Sequence, residues 1–350
     1  MSRGIGEFAP IQDLIPDWAA VLVGLVTQLG DVWFLALLVG VVYWFHARRR
    51  DDAAVTVGLS LTGLALITIL KHVFELPRPG QPLVALEALP GLVQPLYEAT
   101  AMASGYGFPS GHALMTTIVY VSLAKRLSIG TARQRLLAAA AVVAVVSLSR
   151  IALGVHYLVD IVAGIAIGLA FLFVAERLLA RTSTDGATVA LAMAVVASVI
   201  ALLVSSVDPD AVLLVGASLG SFAGWQLVCL GRAVAAADRP SHAVRPLVSR
   251  GTLAAGAIVP LIAVLDSAQL LSVPAASAAL GLAMAAFVAA PVLYGSERTG
   301  RVWTALTFWA TMTALGLRSL RRSSTWRRGF AVGRRCAGHA RRWLRAQSLD

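Results

Sequence analysis

Three short segments supply two candidate catalytic histidines, three cations and a carboxylate beside one of those histidines, at spacings suited to chemistry on a phosphate group. Lys71-His-Val-Phe-Glu-Leu-Pro-Arg78-Pro79 supplies an ammonium and a guanidinium. Pro109-Ser110-Gly111-His112 supplies a Ser-Gly turn and an imidazole. Ser149-Arg150-Ile-Ala-Leu-Gly-Val-His156-Tyr-Leu-Val-Asp160 supplies a second guanidinium, a second imidazole and the carboxylate. A phosphoryl group in its transition state spreads negative charge over its equatorial oxygens, so catalysis there is mostly positioning and electrostatic stabilisation. Arg78 and Arg150 offer planar forks and Lys71 a point charge.

The two histidines suit different tasks. Pro109 to His112 reads as a loop entering a helix, where free N–H groups bind anions and glycine lets the backbone approach. His112, in the first turn, suits protonation of a leaving oxygen near neutral pH. His156 and Asp160 stand at i and i+4, on one helix face. A carboxylate beside an imidazole fixes its tautomer and supports positive charge on the ring, which makes a histidine a nucleophile toward phosphorus. Singly, each feature has a plainer reading. Lys71 can be a helix-end lysine snorkelling to an interface, Ser110 an N-cap, and His156–Asp160 a structural hydrogen bond.

The elements that must position these groups are membrane-length. The chain has 350 residues, 58% hydrophobic and 13% charged, against about 25% charged in soluble domains. Repeated continuous apolar runs indicate transmembrane helices rather than a barrel. The fold class is therefore all-α, a polytopic bundle of about nine spans. The expected spans are 32–45, 53–70, 111–124, 136–148, 157–174, 187–207, 211–230, 252–271 and 275–293. Residues 10–29 read as one amphipathic or partly inserted helix, and residues 79–107 as a loop rich in Pro and Gly. Arg232 to Arg250 also reads as a loop. Cys229 and Cys336 give no disulfide framework, and no Cys/His cluster has metal-site spacing. No cleaved signal peptide is expected from the first residues.

Charge sets the topology. Alternating spans place every Lys and Arg except Arg3, Lys71, Arg78 and Arg150 on one side, provided the last span returns there. The positive-inside rule makes that side cytoplasmic, so the motif side faces outward. The net charge of +11 is thereby assigned to the membrane surface and not to nucleic acid. The Arg-rich tail from Ser296, with Trp303, Trp309, Trp326 and Trp343, reads as an amphipathic segment on the anionic inner leaflet.

Together the three segments match a known signature. The chain resembles the type 2 phosphatidic acid phosphatase family of integral-membrane lipid phosphatases, whose tripartite signature is K-x6-R-P, P-S-G-H and S-R-x5-H-x3-D. The match extends over about residues 15–182 and departs at no fixed position. The resemblance implies His156 as nucleophile forming a phosphohistidine, Asp160 orienting it, and His112 protonating the leaving group. It implies a phosphate held by Lys71, Arg78, Arg150, Ser110 and the Gly111 amide, and no metal or other cofactor.

The expected organisation is a phosphatase domain over 1–182, a further four-helix region over 183–295 and a basic cytoplasmic tail over 296–350. In the four-helix region, Gly216, Gly220 and Gly224 form a small-residue stripe that packs either within the chain or in a homodimer. Asp266 is the one carboxylate in its four spans, which weighs against a transport pathway. The expected substrate is a lipid-linked phosphate or diphosphate, with polyprenyl diphosphate first and phosphatidic acid or phosphatidylglycerol phosphate next. A phosphotransferase to an alcohol acceptor and a non-catalytic lipid-binding or transport protein are the alternatives.

Overall fold

A computed structural model describes residues 3–101, 105–182, 185–237, 240–269 and 271–293. Residues 1–291 form one compact unit and residues 292–350 a second. The basic tail, with its Trp anchors and Cys336, lies outside the described residues.

The described chain is all-helical. It begins with α1 (Phe8–Gln12), α2 (Ala20–Thr27), α3 (Val32–Phe45) and α4 (Arg50–Phe74), followed by α5 (Gln94–Ala101), α6 (Gly111–Arg126), α7 (Ala132–Ala152) and α8 (Leu158–Arg181). The second half contributes α9 (Gly186–Val204), α10 (Pro209–Ala235), α11 (Pro240–Ser267) and α12 (Val273–Leu293). Seven described helices are long and apolar enough to cross a membrane, and Ala20–Gly30 with Val32–Phe45, bent by 50°, makes an eighth if counted as one span. The expected span at 111–124 is α6, whose 16 residues reach only about 24 Å at 1.5 Å per residue. It is packed between α4, α7 and α8. The protein is a multi-pass helical bundle.

Three local expectations are corrected. Residues 10–29 are not one helix. Pro16 disfavours helical backbone before it, so α1 and α2 are separate, and Asp31 then takes extended backbone at φ −74° and ψ 148°. The loop over 79–107 holds α5, whose Tyr97 is buried and accepts Val84 N–H on its hydroxyl oxygen at 3.0 Å. The loop expected from Arg232 to Arg250 is largely helical: α10 continues to Ala235, and α11 runs from Pro240 through Pro246 and carries Arg245 and Arg250.

The two halves share α4, which packs against α3 and α6 on one side and α9 and α10 on the other. Arg232 of α10 pairs with Asp51 of α4 at 2.8 Å. The small-residue stripe of α10 is occupied within the chain. A Cβ added at Gly216 or Gly220 would collide with Ser277 or Gly281 of α12, and one at Gly224 would lie 2.6 Å from Ala285 O. The four-helix region also holds more charge than its spans suggest. Asp185, the N-cap of α9, pairs with Arg250 of α11 at 3.0 Å and accepts from Trp225 Nε1 at 2.7 Å.

Candidate active site

The three motif segments converge where α4, α6, α7 and α8 begin or end. Lys71 lies in the last turn of α4, which closes at Glu75 in left-handed backbone just ahead of Pro77. Gly107 N–H donates to Leu76 O at 2.7 Å, tying the first segment to the second. Ser110 N–H donates to Asp160 O at 3.0 Å, tying the second to the third. That contact needs α6 and α8 nearly touching. A Cβ on Gly164 would lie 2.7 Å from Ser110 O. Between α7 and α8 the chain turns at Gly154, whose φ of +67° suits glycine. The turn brings His156 back under Arg150.

Arg150, His156 and Asp160 are 2%, 1% and 0% exposed. His156 Nε2 lies 3.1 Å from Arg78 Nη1, which also donates to Val155 O at 3.2 Å. Its other nitrogen, Nδ1, lies 3.5 Å from Asp160 Oδ2. Burial pushes the His156 pKa well down, and the cations Arg150, Arg78 and Lys71 and the nearby His112 push the same way. The ring is therefore held neutral, the form whose Nε2 carries a free lone pair. Burial also lowers Arg78, with Asp160 opposing.

Arg150 reaches across to α2 and α5, donating through Nη1 to Thr27 Oγ1 at 3.0 Å and Thr100 O at 3.3 Å. Its Nε is buried without a hydrogen-bond partner among the described residues. A buried charged donor of this kind suits an anion's oxygen. Ser110 is fully buried, and its hydroxyl accepts from Ala113 N at 3.5 Å as the N-cap of α6.

Two contributors escaped sequence reasoning. Asp31 precedes an apolar run and so reads as a helix cap, yet its side chain makes no cap bond. Instead Oδ1 lies 2.8 Å from His112 Nε2, with side-chain exposures of 26% and 20%. The bend between α2 and α3 is pinned against α6. Tyr120 donates to Leu29 O at 2.9 Å, and a Cβ on Gly30 would lie 2.9 Å from His112 Cδ2. The second contributor, Arg3, pairs with Asp160 at 3.2 Å. Nothing local in the sequence signals either contact. Among the described residues, no group of three His, Cys, Asp or Glu side chains is placed to hold a metal ion.

The elements that carry this geometry match a family. The PAP2 superfamily model aligns with residues 53–184, which include all three motif segments. In this region the chain is similar to the PAP2 superfamily. A curated relative, the decaprenylphosphoryl-5-phosphoribose phosphatase of Mycolicibacterium smegmatis, is 33% identical over 118 residues, covering 34% of this chain. The chain spans 54% of that relative's length. No solved structure matches the chain. Residues before 53, with Arg3, Thr27 and Asp31, lie outside the PAP2 match.

Proposed function

We propose that this protein is a lipid phosphate phosphatase acting through a phosphohistidine. The observation that carries the reading is the buried neutral His156 facing Lys71, Arg78 and Arg150, with the unmet Arg150 Nε beside it. The PAP2 match and the similarity to a phosphatase support it. The substrate phosphate binds against Arg78, Arg150 and Lys71, with Ser110 and the Gly111 amide at the start of α6, and takes the Arg78 N–H now directed at His156 Nε2. Nε2 then attacks phosphorus, and the bond to the leaving oxygen breaks. Nδ1–H faces Asp160, which stabilises the ring as it becomes cationic. His112 gives its proton to the leaving oxygen. Water, deprotonated by the now neutral His112, attacks the phosphohistidine and releases phosphate.

The motif side is the extracytoplasmic face, since the basic residues crowd the opposite ends of the helices. The substrate is a polyprenyl phosphate or diphosphate, a class to which the curated relative's named decaprenylphosphoryl substrate is chemically akin. Phosphatidic acid and phosphatidylglycerol phosphate come next. Residues 1–182 form the catalytic part, 183–295 the added helices, and 296–350 an inner-leaflet tail.

The test is phosphate release from a panel of lipid phosphates in detergent with EDTA, comparing the parent with His156→Ala. Metal-independent release lost in the variant supports the reading, and the best substrate fixes the lipid class. Release that survives His156→Ala overturns the nucleophile assignment. Transfer of the phosphate to an added alcohol, without free phosphate, would make the protein a phosphotransferase.

A further inference from the structure

The segment from Arg3 to Gln12 touches the first and third motif segments and the residues flanking the second, Phe108 and Ala113, although the PAP2 match begins at residue 53. Arg3 is the centre of it. Its Nε lies 3.2 Å from Asp160 Oδ1, and its Nη2 lies 3.5 Å from Oδ2. Nη2 also donates to Pro77 O, in the first segment, at 2.9 Å. The guanidinium lies 4.9 Å from the Tyr157 ring centroid and 5.9 Å from that of Phe108. Carboxylate, carbonyl and two aromatic faces thus hold it, at 17% side-chain exposure.

Residues after Arg3 fix the segment in place. Glu7 accepts from Leu158 N–H at 3.0 Å and from Ile5 N–H at 2.7 Å. Burial works against the Glu7 carboxylate, but these amides, with those of Gly6 and Glu7, bring its pKa below the usual range. It is a fixed anion at the start of α8. Phe8 packs with Ala113, Ile151 and Ile161. Gln12 Nε2 donates to Gln81 O and to Ala152 O, each at 3.0 Å.

The consequence falls on the Asp160 carboxylate. Its Oδ2 accepts Tyr157 N–H at 2.9 Å, while Arg3 takes the Oδ1 side. His156 Nδ1 is left at 3.5 Å, without a well-formed hydrogen bond. A carboxylate shared with a guanidinium and an amide attracts an imidazole proton less than a free one would. We propose that Arg3 is a positioning residue for the nucleophile: it clamps Asp160 and offsets its charge, so that His156 is oriented yet stays unprotonated before attack. This rests on the phosphohistidine reading of His156. The groups facing His156 are Arg150 of α7, Lys71 of α4, Arg78, His112 of α6 and Asp160 of α8. Asp160 is the one anion in that set, and Arg3 is the cation that pairs with it.

The experiment uses the full chain in detergent, as Arg3→Gln and Arg3→Lys, with two readouts. The first is the pH profile of phosphate release. Removing the cation lets Asp160 act more strongly on His156, so the acid limb moves to higher pH by about half a unit to one unit. The turnover number should fall about tenfold, as for other partners that orient a reacting group, with KM little changed. Arg3→Lys should recover most of the turnover and the parental limb. The second readout needs no activity: NMR titration of labelled histidines, with His156 assigned through His156→Gln, should show its midpoint raised in Arg3→Gln. An unmoved limb and an unmoved midpoint overturn the proposal. A drop in turnover that tracks only a lowered melting temperature does so too, making Arg3 a mere fastening. Failure of the underlying reading looks different: the parent releases no phosphate, or His156→Ala still does, while the titration still reports on Arg3.

Discussion

The two histidines of the site each have a carboxylate, and the two pairs are built in opposite ways. His156 and Asp160 come from one stretch of chain, are almost wholly buried, and stand 3.5 Å apart. His112 and Asp31 come from different helices, are partly exposed, and stand 2.8 Å apart. The loose pair has its carboxylate shared with Arg3 and the Tyr157 amide. The tight pair has a carboxylate with no other recorded hydrogen bond among the described residues. The difference fits the proposed tasks. A nucleophile must be neutral, so cations and burial surround it and its anion is muted. A general acid must hold a proton, and Asp31 lies close enough to favour the charged ring against burial and the Arg150 charge.

Perturbing the pairs separately sharpens this contrast. The largest effect is expected at the nucleophile: His156→Ala should lower turnover by more than about 10⁴-fold, measured as phosphate release per folded protein. At the other pair, His112→Ala should lower turnover about 10²- to 10⁴-fold with an alkyl leaving group. With a nitrophenyl phosphate the loss should shrink, because that leaving group departs without a proton. Equal losses on both substrates would remove His112 from the acid role.

The pH limbs give a finer test. The His156 pKa is depressed, so its neutral form persists below the ordinary histidine range and the acid limb should lie below about pH 6.5. Arg78→Gln removes one depressing cation, which raises the His156 pKa and moves that limb to higher pH. KM should rise as well, through loss of the phosphate fork. Asp31→Asn acts on the opposite limb. Without its carboxylate His112 loses its proton at lower pH, so the alkaline limb moves down and turnover falls about tenfold. An Asp31→Asn enzyme with both limbs in place would leave Asp31 as a structural contact.

The smallest catalytic effect is expected far from both pairs. Gly220→Leu forces α10 away from α12, an overpacking that costs about 1–3 kcal/mol or more. The melting temperature in detergent should fall while turnover per folded molecule holds. A matching loss of turnover would show that the added helices support the site through α4.

Much of the site could be read in the chain, since the relevant spacings are local. The i,i+4 step of His156 and Asp160 and the Ser110 cap of α6 follow from helix geometry. Long apolar runs gave the bundle its class, although proline and glycine misled at the margins. Residues 79–107 looked like loop because Pro79, Pro82, Pro90 and Pro95 punctuate them, yet α5 fits from Gln94 to Ala101 with Pro95 in its first turn. Arg232 to Arg250 read as loop, yet α11 begins at Pro240 and passes through Pro246 and, in the expected span, Pro260. Neighbouring helices hold such breaks together in a bundle.

By itself, then, the sequence determined the reactive groups, their order and the helices that carry them. Only the tertiary structure decided which charges offset which. Asp31 meets His112, Arg3 meets Asp160 from 157 residues away, and Arg250 meets Asp185. The physical reason is range. Backbone geometry fixes neighbours within a turn or two, whereas a contact between distant segments depends on how whole helices cross, and on the glycines that let them approach.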